Sequence, residues 1–148
     1  MTSFAMRSLL VLPATIALTA GVLSAPASAE AGLAVQAADL PTCTHFSSRK
    51  VTGGVVRFPS VGADTRQTKC KLQQYDHNWG VVALQQWLLY CNKAKQIDVD
   101  GIYGPITRDV VTWIQAVEGI NVDGVYGPET MNVLRKAVFS GNRVVGCV

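Results

Sequence analysis

The stretch Val99-Asp100-Gly101-Ile102-Tyr103-Gly104-Pro105-Ile106-Thr107 returns 23 residues later as Val122-Asp123-Gly124-Val125-Tyr126-Gly127-Pro128-Glu129-Thr130, with seven of nine positions identical. Each copy joins an Asp-Gly turn to a Gly-Pro step. An Asp side chain accepts backbone N–H groups in a turn, and the Gly after it takes dihedrals that other residues avoid. Proline suits the first helical position, where its missing N–H is not needed. The doubled skeleton predicts two turn-plus-helix units, with turns at Asp100-Gly101 and Asp123-Gly124 and helices opening after Gly104 and Gly127, at Pro105 and Pro128. Two copies fall short of a solenoid, which needs three or more.

Apolar spacing fills in the helices. Val81, Leu84, Leu88 and Cys91 lie on one helical face, with Asn78 as N-cap. The second helix presents Ile106, Val110, Ile114 and Val117, with Trp113 beside them, and Gly119 is placed to end it. The third places Met131, Leu134 and Val138 on one face and stops at Gly141. None of the three is stable alone, so the spacing predicts a mainly α fold in which three stripes share one core.

The ends carry different signals. Arg7 precedes an apolar run from Leu9 to Leu23, and Ala27-Ser28-Ala29 fits the small-x-small cleavage rule. Residues 1–29 therefore read as an export signal, with Met6 as neat a start as Met1. The run is too short for a membrane anchor. The 49% apolar content is inflated by this segment, and the net charge of +3 falls by one when Arg7 is lost. What remains is one domain's worth of chain. It has no basic stripe of the kind nucleic-acid binders carry and no second apolar run to suggest a membrane partner after cleavage. A secreted or wall-associated monomer is expected.

Residues 30–42 are Ala-rich and aperiodic and read as a disordered leader. Residues 43–77 form a polar extension in which Val51 to Phe58 makes one or two short strands around Gly53-Gly54. Residues 139–148 read as a tail. Cys43, Cys70, Cys91 and Cys147 are even in number in an exported chain, which predicts two disulfides. Three pairings are possible. Cys43–Cys70 with Cys91–Cys147 is preferred, because the first closes the extension on itself and the second ties the tail to the helical body.

Catalytic and metal chemistry find little support, and no catalytic residue, metal or cofactor is expected. Asp98-Val99-Asp100-Gly101 and Asn121-Val122-Asp123-Gly124 partly fit a calcium loop. The first ligand position, however, would be Gln96 or Gly119, and the twelfth Thr107 or Thr130 where a glutamate is wanted. His45, Asp76 and His77 lack the spacing of a zinc site. Paired cysteines supply no thiolate nucleophile. Glu118 and Glu129 are explained by their helix positions rather than by a glycosidase pair. The aromatic residues matter more. Tyr103 and Tyr126 occupy equivalent repeat positions, either closing the turns over the core or offering faces to a sugar. Trp79, Trp87 and Trp113 are further candidates on or beside the first two helices, although Trp113 reads as core. Gln85 and Gln115, at matching places, either bond the turn backbone or line a groove.

Val81-x-x-Leu84-Gln85-x-x-Leu88, both Asp-Gly-x-Tyr-Gly-Pro-x-Thr units, Val111-x-x-Ile114-Gln115, Gly119-Ile120 and Leu134 together resemble the three-helix, PGBD-like peptidoglycan-binding domain. The resemblance spans about residues 78–138, and 43–77 lie outside it. It implies a three-helix bundle that binds bacterial cell-wall peptidoglycan, through glycan or stem peptide, without catalysis, and it makes Tyr103, Gln115 and Tyr126 candidate ligand contacts. Two rivals stand beside it: a small wall-associated enzyme or inhibitor that works through the N-terminal segment, and a protein-protein interaction module.

Overall fold

The computed structural model describes residues 39–148. The expected export signal at 1–29, and the part of the expected leader before residue 39, lie outside the described residues. Strands β1 (His45–Val51) and β2 (Gly54–Ser60) are followed by helices α1 (Trp79–Cys91), α2 (Pro105–Glu118) and α3 (Pro128–Val133), then strands β3 (Ala137–Ser140) and β4 (Arg143–Cys147). The strands form one antiparallel sheet in the order β1-β2-β3-β4. This corrects the expectation of a mainly α three-helix bundle: half of the architecture is a sheet built from the two ends of the described chain.

The sheet assembles two hairpins. Thr52-Gly53 links β1 to β2, and Gly141-Asn142 links β3 to β4. Val55 pairs with Phe139 and Val56 with Val138 across the junction between them. On one side of the sheet, Arg57 lays its guanidinium 4.4 Å from the ring centroid of Phe139 and 5.4 Å from that of Phe46. Cation–aromatic contacts of this kind anchor a long side chain across a strand pair.

Helix α1 lies between the sheet and the repeat turns, so it is buried on more than one face. Val81, Leu84, Trp87 and Leu88 have no exposed surface, and full burial of such side chains contributes about 1.5–3 kcal/mol each. The Trp87 ring meets Phe58 of β2 edge-on at 5.3 Å and Tyr126 of the second repeat at 6.4 Å, and so joins the two halves of the core. Asn78 caps α1, its Oδ1 accepting from the Val81 N–H at 3.2 Å.

Helix α3 does not extend to Gly141. It stops at Val133, and Leu134 turns extended at ψ 136°. The side chain of Asn92 takes hold of the departing chain. Its Oδ1 accepts from the Arg135 N–H at 3.1 Å, and its Nδ2 donates to the Arg135 carbonyl at 2.8 Å. Lys136 then pairs with Val148 in both directions, and Val138 enters β3 instead of a helix. The expected tail is therefore the second hairpin. The disulfides are Cys43–Cys70 and Cys91–Cys147, the preferred pairing. The second fastens β4 to the end of α1, across 56 residues of chain. Pro41 and Thr42 join this structure, since Pro41 O accepts from the Lys71 N–H and Cys43 N–H donates to Lys71 O, both at 2.9 Å.

Candidate functional site

The two repeat turns are built alike around a glutamine from the preceding helix. Gln85 Oε1 accepts from the Gly101 N–H at 2.8 Å, while its Nε2 donates to Asp100 Oδ1 at 2.8 Å and to the Ile102 carbonyl at 3.0 Å. Gln115 repeats this with the Gly124 N–H, Asp123 Oδ1 and the Val125 carbonyl, at 2.8, 2.8 and 3.0 Å. In each turn the aspartate oxygen also accepts from the backbone N–H two residues on, at 2.8 Å. The Ile102 N–H, followed by the Gln85 amide, holds the Asp100 carboxyl below its ordinary range. Gly101 and Gly124 have φ values of 79° and 68°, the left-handed region that a side chain strains.

The segment Leu72–Asn78 threads both turns. Leu72 pairs with Tyr126 through both backbone groups. Asp76 O accepts from the Tyr103 N–H at 2.8 Å, the Tyr75 N–H donates to Tyr103 O at 3.0 Å, and the Asn78 N–H donates to Gly101 O at 3.0 Å. Tyr103 and Tyr126 are fully buried. Burial pushes both phenols far above their ordinary range, so neither exchanges a proton near neutrality. Gln115 is buried with both amide atoms engaged. The three candidate ligand contacts are thus brought together as the clamp and lining of the turns, and none offers a surface to a ligand. An amide and two rings are here enclosed by core.

Asp100 and Asp123 spend their acceptors on the same turns, and Asn121 donates to Asp123 Oδ2 at 3.2 Å. Among the described residues, no group of three or more His, Cys, Asp or Glu is placed to hold a metal. His45 and Asp76 are engaged locally, with Thr44 and the Gln73 N–H. His77 pairs with Ile102. All four cysteines are in disulfides.

One cleft open to a ligand lies on α2. The helix buries Thr107, Val110, Val111, Ile114 and Gln115, a stripe rotated from the expected one. Ile106 is 54% exposed and Trp113 61%, and Val117 shares that exposed side. Trp113, expected in the core, faces out because the helix is apolar along two ridges and only one can face the core. Ile106 and Trp113 line a cleft of about 520 Å³ whose far wall is Asn92, Lys93, Ala94 and Gln96, with Asp109 and Val110 between. Lys93 shapes that wall by turning the chain out of α1 at a φ of 61°. Asn92 is occupied in pinning Arg135, so Lys93, Gln96 and Asp109 are the polar groups left for a ligand. An aromatic face beside a few polar groups is the usual make-up of a small-ligand cleft. Of the other tryptophans, Trp79 is 60% exposed outside the cleft, and Trp87 is enclosed. The sequence signal for this site was the second apolar ridge of α2, Ile106, Trp113 and Val117 at intervals of seven and four.

Residues 77–134 match the family model described as a putative peptidoglycan binding domain. The match begins at His77, beside the first turn, and ends at Leu134, where α3 closes. It includes the three helices and both turns, and leaves out both hairpins. No curated protein matches the chain.

Proposed function

We propose that the cleft between α2 and residues 92–96 binds bacterial cell-wall peptidoglycan without cleaving it, in an exported, monomeric protein. Two things support this reading. The family match, over residues 77–134, covers the residues that build the cleft. Trp113 then supplies, on that domain, an exposed aromatic face against which a sugar ring packs, with Gln96 and Asp109 beside it to meet its hydroxyl and amide groups. Both disulfides agree with an extracellular or wall location. No helix among the described residues is long and apolar enough to cross a membrane.

In this reading residues 1–29 are the export signal, 30–42 a leader, 43–77 an added extension and 78–138 the binding domain, with 139–148 completing the sheet. The cleft touches one side of a polymer, so each contact is weak and repeated sites on the wall supply the retention.

The test is an amide-shift map of the purified, oxidised protein titrated with soluble wall fragments, alongside intact sacculi assayed for released fragments. Saturable shifts at Lys93, Gln96, Asp109 and Trp113 with no release are expected. Release of soluble fragments would make the protein an enzyme, and shifts confined to other residues would remove the cleft from the reading.

A further inference from the structure

A second concavity, of about 480 Å³, opens outside the family-matched region, between edge strand β1 and residues 64–66. Its lining residues are Ser47, Ser48, Arg49 and Lys50 of β1 and Asp64, Thr65 and Arg66; Ser47 and Arg49 share one face of the strand, and Lys50 lies on the other. Three features mark it as more than a solvated basic face. Arg49 is held in place, its Nη2 donating to Thr68 Oγ1 at 3.2 Å and its guanidinium 4.6 Å from the Phe58 ring centroid. Arg66 accepts from the Thr68 N–H through its backbone carbonyl at 3.0 Å, and its side chain makes no ion pair or hydrogen bond among the described residues. Ser47 is only 5% exposed, yet its hydroxyl has no hydrogen-bond partner among the described residues. Buried hydroxyls are rarely left unpaired, and this one belongs to a residue of the pocket lining.

We propose that this pocket binds an oxyanion, a carboxylate or a phosphate group. Arg49 and Arg66 supply charge-assisted donors, and the Ser47 hydroxyl supplies a neutral one. Guanidinium forks match the planar carboxylate and the phosphate alike, so the chemistry is shared by a stem-peptide carboxylate and by the phosphate of an anionic polymer. The site lies on the extension, apart from the α2 cleft, and does not depend on the peptidoglycan reading.

The test is a proton–nitrogen correlation titration of the oxidised protein with sodium phosphate and, separately, sodium acetate, at ionic strength held constant with sodium chloride. Saturable shifts at residues 47–50 and 64–66 are expected. Saturation by phosphate alone assigns the site to phosphate, by acetate alone to carboxylate, and by both to oxyanions in general. Arg66 is exposed, so Arg66→Ala keeps the fold and is expected to weaken binding about tenfold, the usual loss for one charge-assisted hydrogen bond. Ser47→Ala is expected to weaken binding while leaving the melting temperature unchanged or raised, a combination that a structural hydroxyl does not produce. Shifts that do not saturate, that chloride reproduces, or that Arg66→Ala leaves intact would overturn the proposal.

Discussion

The Tyr103 hydroxyl donates to the carbonyl oxygen of Gly124 at 3.0 Å, inside the core. The first repeat thereby closes the turn of the second. The equivalent hydroxyl, on Tyr126, is equally buried but has no hydrogen-bond partner among the described residues. Two residues at the same place in one motif therefore have different energetics. Tyr103→Phe leaves a buried carbonyl short of a donor and is expected to destabilise the protein by about 1–2 kcal/mol. Tyr126→Phe removes an unpaired hydroxyl and is expected to change stability by no more than about 0.5 kcal/mol, or to raise it. Urea unfolding of both variants checks the contrast, and equal losses would mean that the two phenols do the same job.

The glutamine clamps give a second prediction. Replacing Gln115 with Ala strands the Gly124 N–H and leaves the Val125 carbonyl with only the Thr130 hydroxyl as side-chain donor, and a loss of about 2–3 kcal/mol is expected. Gln115→Glu retains the shape but sets a carboxylate where Nε2 lies 2.8 Å from Asp123 Oδ1. It is expected to be destabilising at neutral pH and to recover as the solution is acidified. A Gln115→Glu protein as stable as the parent at pH 7 would contradict the assigned donor.

Gly124 tests the turn geometry. A Cβ there would sit 2.8 Å from Thr112 Oγ1 and 3.0 Å from the Arg108 side chain, at a φ of 68°. At Gly101 it would sit 3.1 Å from Val82, at a φ of 79°. Gly124→Val and Gly101→Val are each expected to cost on the order of 1–3 kcal/mol, read as a fall in the denaturation midpoint. Parent-like midpoints in both would show that the turns relax without these glycines.

Acid should loosen the first turn. The Asp100 carboxyl is held below its ordinary range, chiefly by the Ile102 N–H and then by Gln85. A depressed folded value means that its contribution is present above the unfolded carboxylate pKa of about 3.9 and is lost as pH falls through the folded value. Asp100→Asn should therefore flatten part of the decline in melting temperature below about pH 4. An unchanged acid profile would show that Asp100 adds nothing to it.

The turns, the caps at Asn78 and Gly119, the helix starts at Pro105 and Pro128 and the disulfides were all legible, because each depends on local chemistry. The sheet was not. Met131, Leu134 and Val138 satisfy a helical period, but Gly141-Asn142 between Val138-Phe139 and Val144-Val145 carries the hairpin signature. The deciding interactions are distant ones: Asn92 holding Arg135, and Val56 pairing with Val138. In the same way, the equivalence of Gln85 and Gln115 was visible, but not that both amides are used up inside the turns. Trp113 was misplaced because α2 is apolar along two ridges, and periodicity alone does not say which one faces the core.

Co-sedimentation with protein-free bacterial sacculi, comparing the wild-type protein with Trp113→Ala, bears most directly on the function. Trp113 is exposed, so its replacement should leave the fold and melting temperature close to those of the parent. The wild-type protein is expected to pellet with the sacculi. The variant is expected to lose about tenfold or more in affinity, as truncation of a central tryptophan contact typically does. A wild-type protein that stays in the supernatant at low salt would contradict peptidoglycan binding, and a folded Trp113→Ala variant that pellets like the parent would contradict the cleft as its site.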